Sequence, residues 1–472
     1  MGLNAVLAIG TAGLKVNQIA MEVASENIAN VNTPGYSRQR VLLETAPPTN
    51  HNGFPLGTGV KISTVERYYD ALLQKQLLNA GTTSGYNNAN LQLLQQVEPA
   101  FNELVYDGLG TSINNFFNSW QDLTLNPSGT AERQAVLSKA EIMTDQFHYV
   151  SRTLTTAMVT QDESLTAQTT DINQQLKDIA YLNGQIKTTE LIQGNANEMR
   201  DQRDYLIRQL GENVAISFVE NTNGTTDVSY TDTTGTYALV TDSDVINNFT
   251  LTANGNLPDP ANTVKHDVQL TPTGAGAPVT IAPTTGKLGA TMVTRDTTLQ
   301  GYLNDLDVIA NKLVTDINGL HVSGAPLTYD NNGVAGAEFF AAAGTTAATI
   351  LLDVNVKGLP DNIAAASGAT FYKGDNSNAL AIAELNATTG GYSMSYKALV
   401  AKVGQDVQSS KTVVSQDAAF MKQLVTLRDS NSGVSLDEEL TDLIKFQRSY
   451  QASSKLITTA TDMMDIAIGL VR

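Results

Sequence analysis

The chain has 472 residues and carries 29 Lys and Arg against 47 Asp and Glu, a formal net charge of −18. So acidic a surface repels phosphate backbones and anionic lipid, which argues against nucleic-acid binding and against a membrane-surface role. Cysteine is absent, which excludes disulfides, thiolate metal sites and cysteine nucleophiles, and the four His at 51, 148, 266 and 321 are too scattered for a zinc site.

The first predicted element is a terminal helix. Leu3, Leu7, Gly10, Leu14, Asn17, Met21, Ala24 and Ile28 alternate steps of four and three, the 3.5-residue period of a coiled-coil seam. The first basic residue is Lys15, so the charged start of a cleaved secretory signal is missing. Val6 spoils the myristoylation pattern. Pro34 disfavours helix at Thr33, and Pro34-Gly35 signals a turn running into Tyr36. The helix is therefore expected to stop near Asn30–Asn32, with Asn27, Asn30 and Asn32 offering amide groups to its freed backbone.

From about Glu66 to Leu210 the pattern is helical, with expected breaks at Gly81–Gly85, Pro99, Gly108–Gly110 and Asn126-Pro127. The longest stretch runs from Ala131 to about 193, with Leu165, Ile172, Ile179 and Ile186 at seven-residue spacing and Gly194 ending it. Arg200, Asp201, Arg203 and Asp204 read as solvated or inter-helix ion pairs rather than a catalytic site. At Val214 the period changes to two, and residues 214–290 hold 16 Thr and only nine charged residues, a composition suited to exposed strands. Helix returns from about Thr294 to His321, loops and short strands fill 322–371, and helices resume through 379–385 and 393–427.

The last predicted helix carries a second weak seam: Leu436, Leu440, Leu443, Gln447, Tyr450, Ser454, Ile457, Thr461, Met464, Ile468 and Val471. Ser435 and Glu438 form a capping box at its start. Gly10, Asn17, Gln447, Ser454 and Thr461 stand where a stable two-helix pair wants Leu or Ile, so both seams are expected to order fully only among neighbouring subunits. Candidate chemistry is thin. Asp330-Asn331-Asn332-Gly333 opens like a calcium loop but has Ala341 in place of the twelfth-position Glu. Gly57-Thr58-Gly59 and Gly274-Ala275-Gly276 lack a P-loop Lys. Asp437, Glu438 and Glu439 suit a helix N-terminus without any catalytic role. No catalytic, cofactor-binding or metal residue is assigned, and no enzyme is expected.

The run NIANVNTPGYSRQ (Asn27–Gln39) resembles the N-terminal signature of the flagellar rod, hook and hook-associated proteins. Its SRQ ending, the C-terminal run SLDEELTDLIKFQRSYQASSKLITTATDMMDIAIGLV, NEMRDQRDYLIRQL (Asn197–Leu210) and KGDNSNALAIAEL (Lys373–Leu385) narrow the likeness to the hook-associated members. The resemblance implies an α+β multidomain chain: a terminal coiled coil (1–35 plus 435–472), an elongated helical layer (36–213, 286–324, 371–434), a β-rich outer domain (214–285) and a loop insertion (325–370). It implies a structural subunit of the extracellular flagellum at the hook–filament junction, in a ring of like subunits between hook protein and a second hook-associated protein. It also implies passage through the flagellar type III export apparatus with an uncleaved signal, and a cytoplasmic chaperone on the C-terminal helix. The residues expected at the assembly interface are Leu3, Leu7, Leu14, Met21, Ile28, Asn27, Asn30, Pro34, Gly35, Tyr36, Leu436, Leu440, Leu443, Tyr450, Ile457, Met464, Ile468 and Val471. A hook or rod protein, and an appendage enzyme with its site in the β insertion, are the alternatives.

Overall fold

The computed structural model describes residues 3–51, 54–103, 108–322, 327–387 and 390–469. Helix α1 (Leu3–Ala29) stops ahead of Pro34, as its sequence predicts. Four strands follow: β1 (Gln39–Thr45), β2 (Thr49–His51), β3 (Phe54–Leu56) and β4 (Val60–Arg67). β1 pairs antiparallel with β4 and β2 with β3. Residues 39–67, assigned from sequence to the helical layer, are thus a β-ribbon. Its register slips between Leu42 and Leu43, which breaks the alternation that would have revealed it.

Helix α2 (Ala71–Val97) is capped by Asp70, whose carboxylate accepts from the Leu72 and Leu73 N–H groups. It runs unbroken through Gly81 and Gly85, where a break was expected. Gly85 marks a helix crossing instead, since a Cβ there would collide with the Glu212 carbonyl. After α3 (Leu109–Leu125), helix α4 (Thr130–Gln193) extends 64 residues, about 95 Å. Its first half buries Val136, Met143, Phe147 and Leu154 in a core shared with Phe116 and Trp120 of α3. Its second half buries Leu165, Ile172, Leu176 and Ile179 in a separate core, completed by Ile207 and Leu210 of α5 (Asn197–Asn213). The heptad read from sequence is the buried stripe of this second half: Leu165, Ile172 and Ile179 lie in the second core, and Ile186 beyond them is fully buried.

Strands β5 (Ile216–Glu220), β6 (Thr226–Asp232), β7 (Gly235–Thr241) and β8 (Asp244–Val245) form one antiparallel sheet in sequence order. β9 (Asn247–Asn256), β10 (Val264–Pro272) and β11 (Val279–Thr280) form another. Val228, Tyr230, Phe249 and Val268 pack these sheets onto the second core. The chain leaves the helices at Asn213 and returns at Gly286, where a Cβ would lie 2.6 Å from the Asn213 carbonyl oxygen. Entry and exit therefore touch.

Helix α6 (Gly286–Val293) passes through one π turn (Thr294–Leu299) into α7 (Gln300–His321). Fully buried Arg295 in that turn binds Asp162 of α4 and donates to the His266 carbonyl of β10 at 2.8 Å, tying sheet to helix. Leu303, Leu306, Ile309, Leu313 and Ile317 of α7 enter the first core as predicted. Short pairing of β12 (Thr328–Tyr329) with β13 (Ala366–Ser367) is followed by α8 (Ser377–Glu384), α9 (Tyr392–Ser432) and α10 (Leu436–Gly469). α9 lies along α2, and α10 returns along α1, so the two ends of the chain share one side of the molecule.

Candidate assembly interface

The seam between α1 and α10 is built from small residues. A Cβ on Gly10 would lie 2.6 Å from Ile457 Cγ1, and one on Gly13 would lie 3.5 Å from Ser453 Cβ. The buried positions of α1 are Gly10, Val16, Ala20, Val23, Ala24 and Asn27, and those of α10 are Glu439 and Ala460. Gly10 is therefore not a defect in a leucine seam, as the sequence suggested. It is the position that lets the two backbones approach. Gly10→Leu should push α10 away and cost about 1–3 kcal/mol of local stability. Faster hydrogen exchange confined to α1 and α10 is the expected readout.

The predicted interface residues divide into two sets. Leu3, Leu7, Leu14, Met21, Ile28, Leu443, Ile457 and Met464 are half-buried. Leu436, Leu440, Tyr450 and Ile468 are 45%, 48%, 37% and 63% exposed. Ile444, Leu456, Met463 and Ile466 are exposed as well, so α10 presents apolar side chains to solvent on both flanks of the stripe it shares with α1. Val471 lies outside the described residues. The apolar stripe of α10 is thus wider than one partner helix covers.

A polar hub closes the seam at its base. Asn27, almost fully buried, donates through Nδ2 to the Gln39 carbonyl at 2.9 Å and to Glu439 Oε2 at 3.0 Å. Its Oδ1 accepts from the Gln39 N–H and the Tyr36 hydroxyl, each at 2.9 Å. Arg38 completes the hub, donating to Glu439 at 2.6 Å and Glu438 at 2.7 Å, while its N–H reaches the Ser432 carbonyl at 2.8 Å. One loop of the N-terminal region thus grips the start of α10. The expected capping box is displaced. The Ser435 carbonyl accepts from the Glu439 N–H at 3.0 Å, but the Glu438 carboxylate turns to Arg38.

Neighbouring residues tie the hub to α5. Gly35 adopts φ +85°, and a Cβ there would lie 3.0 Å from Tyr205 Cβ. The Ser37 N–H donates to Asp201, whose other carboxylate oxygen pairs with Arg67 at 2.8 Å. Arg67 also pairs with Asp204 at 2.8 Å, and Asn197 donates to the Gln39 side chain at 3.0 Å. Asn30 serves the helix end, donating to the Glu26 carbonyl at 3.1 Å and accepting from Thr33 at 3.0 Å, and Pro34 holds the turn. Arg38, Arg67, Asp201 and Glu439 were not singled out from sequence as interface residues. Arg38 lies in the Asn27–Gln39 run, Asp201 reads as an ion-pair residue and Glu439 as a helix N-terminal acid, and no local pattern joins the four.

Glu26 of α1 shares a hydrogen bond with Glu198 of α5, and this bond, partial burial and the like charge raise its carboxyl to about 7. The folded state therefore holds this proton more tightly than the unfolded chain. Docking of α1 is strongest below about pH 4.5 and weakens as pH rises to 7. Protease protection of residues 3–29 should decline over that window, and Glu26→Gln should flatten the dependence.

Among the described residues no group of three or more His, Asp or Glu side chains could hold a metal ion. No described helix is long and apolar enough to cross a membrane. A family model for the helical domain of the flagellar hook-associated protein FlgK matches residues 94–340, more than half of the chain. The chain belongs to the FlgK family. Two further models fall on the terminal layer of this FlgK-family chain: flagella basal body rod protein over residues 7–36, and flagellar basal body rod FlgEFG protein C-terminal over 428–470. Both halves of the α1–α10 seam thus lie in segments similar to rod proteins. The chain is 27% identical to flagellar hook-associated protein 1 of Bacillus subtilis (strain 168), with 96% of each chain covered. It is 27% identical to the protein of that name from Escherichia coli (strain K12), covering 97% of this chain and 98% of that one. The solved flagellar hook junction protein FlgK from Burkholderia pseudomallei has the same fold, with a TM-score of 0.66, 15% identity, and coverage of 76% of this chain and 100% of that one.

Proposed function

We propose that the chain is a structural subunit of the flagellum at the junction between hook and filament, joined to its neighbours through its terminal helices. The observation that carries this is the apolar surface that α10 leaves exposed on both flanks of its contact with α1. Of its 34 residues only Glu439 and Ala460 are buried, while Leu436, Leu440, Ile444, Leu456, Met463 and Ile466 are exposed. Pairing with α1 leaves that surface in water, and neighbouring copies in a ring would cover it. The helix is thus held in the monomer chiefly by the Asn27 hub and a thin small-residue seam, and gains most of its burial on assembly.

Hook protein on one side and a second hook-associated protein on the other are the expected axial partners. A cytoplasmic chaperone covering α10 before export suits the same surface, and export through the flagellar type III apparatus would leave the N-terminal helix uncut. The outer β-sheets then point away from the axis. Antibody raised against residues 214–285 should decorate one narrow band at the hook–filament boundary. Label along the whole hook or the whole filament would overturn the assignment.

A further inference from the structure

Between α2, α5 and α9 lies a solvent-open cleft of about 650 Å³. Gly85 brings α2 and α5 together at one end, and Gly81, one turn earlier, leaves space that a side chain would fill. The charge of the cleft runs against that of the chain. Arg208, Arg428 and Lys287 line it against one carboxylate, Glu212, in a molecule of net charge −18. Arg428 pairs with the adjacent Asp429 at 2.6 Å. Arg208 donates to a neutral partner, Gln74 Oε1, at 2.7 Å, and nearby Asp204 is engaged by Arg67. Burial, and then the charge of Arg428, hold the Arg208 guanidinium below its usual range. An anion placed between the two guanidiniums would relieve that repulsion and form charge-assisted hydrogen bonds. Arg428 also lines the recess beside Asn30, Pro34 and Tyr36, so one side chain borders both the cleft and the turn after α1.

We propose that the cleft receives an Asp or Glu side chain from a second copy of the chain, latching the helical layers of neighbouring subunits beside their terminal helices. Charge complementarity points to that occupant: each copy carries an excess of carboxylates and a cationic cleft to take one. The latch rests on the ring assembly proposed above, and the test separates the two. The chain has no cysteine, so Ser84→Cys places a single thiol in the cleft of the full-length protein. Labelled with a photoreactive benzophenone and incorporated at hook tips as a mixture of light and heavy isotope forms, it should cross-link light to heavy copies through an Asp- or Glu-containing peptide. Adding Arg428→Gln, whose only ion pair among the described residues is with the exposed Asp429, should lower the yield roughly tenfold with the melting curve of the free protein unchanged. Adding Arg208→Gln as well should lower the yield further, at some cost in stability because Gln74 loses its donor. Cross-links within one copy only, to another protein, or absent altogether overturn the latch. Ring assembly fails separately, if loss of the exposed apolar side chains of α10 leaves filament attachment intact.

Discussion

Leu440→Asp together with Ile444→Asp should abolish filament attachment while leaving a soluble, folded monomer. Both side chains are about half exposed, at 48% and 57%, so a charge at either disturbs little within one chain. Surface substitutions of this kind typically change stability by about 0.5 kcal/mol or less, and the melting curve should stay within about 2 °C of the parent. In a ring the same positions face other subunits, where each buried leucine or isoleucine contributes about 1.5–3 kcal/mol and a buried unpaired carboxylate costs more than it displaces. The penalty recurs at every subunit. Val308→Asp is the control: Val308 of α7 is 66% exposed but lies far from the terminal layer in the chain, and should leave filaments attached. The measurement is the fraction of cells with filaments, beside thermal melts of the purified chains.

Asn27→Ala should release the two ends of the monomer. All four hydrogen bonds of the amide are made inside the protein, to Gln39, Glu439 and Tyr36. Truncation leaves the Gln39 N–H and carbonyl unsatisfied and removes a donor from the nearly buried Glu439 carboxylate. One orphaned buried group costs about 1–3 kcal/mol, and the set about 3 kcal/mol or more. Tyr36→Phe removes one of those bonds and should cost about 1 kcal/mol. Local opening of α1 and the start of α10, followed by native-state hydrogen exchange, should rise in the order parent, Tyr36→Phe, Asn27→Ala. Exchange in the α3–α4 core should stay unchanged in both variants.

The α+β architecture was legible because its signals are local. The heptad of α4, the stripe of α7, the switch of period at Val214 and the stop before Pro34 each depend on neighbouring residues in sequence. The β-ribbon at 39–67 was missed because its bulge disrupts a pattern too short to survive interruption. On the terminal helices, periodicity gave the apolar stripe of α10 but not its division. Ile457 meets α1 whereas Leu440 faces solvent, and spacing cannot distinguish a side chain covered by its own chain from one left for neighbours. Gly10 and Gly13 were opaque for the opposite reason, since a seam of small residues carries little hydrophobic signal. Asn27 and Glu439 lie 412 residues apart, and no local rule pairs them.

The intramolecular seam is open to a direct trial. Gly13 and Ser453 face each other: a Cβ on Gly13 would lie 3.5 Å from Ser453 Cβ, within the range a disulfide accepts, and the chain supplies no competing thiol. The variant Gly13→Cys/Ser453→Cys, assembled at hook tips and oxidised, should yield a disulfide closed within each subunit, running as a single monomer band on a non-reducing gel. A ladder of covalent dimers and higher species would mean that α1 pairs with the α10 of a neighbour, and would contradict a seam made within one chain with its exposed flanks left for the ring.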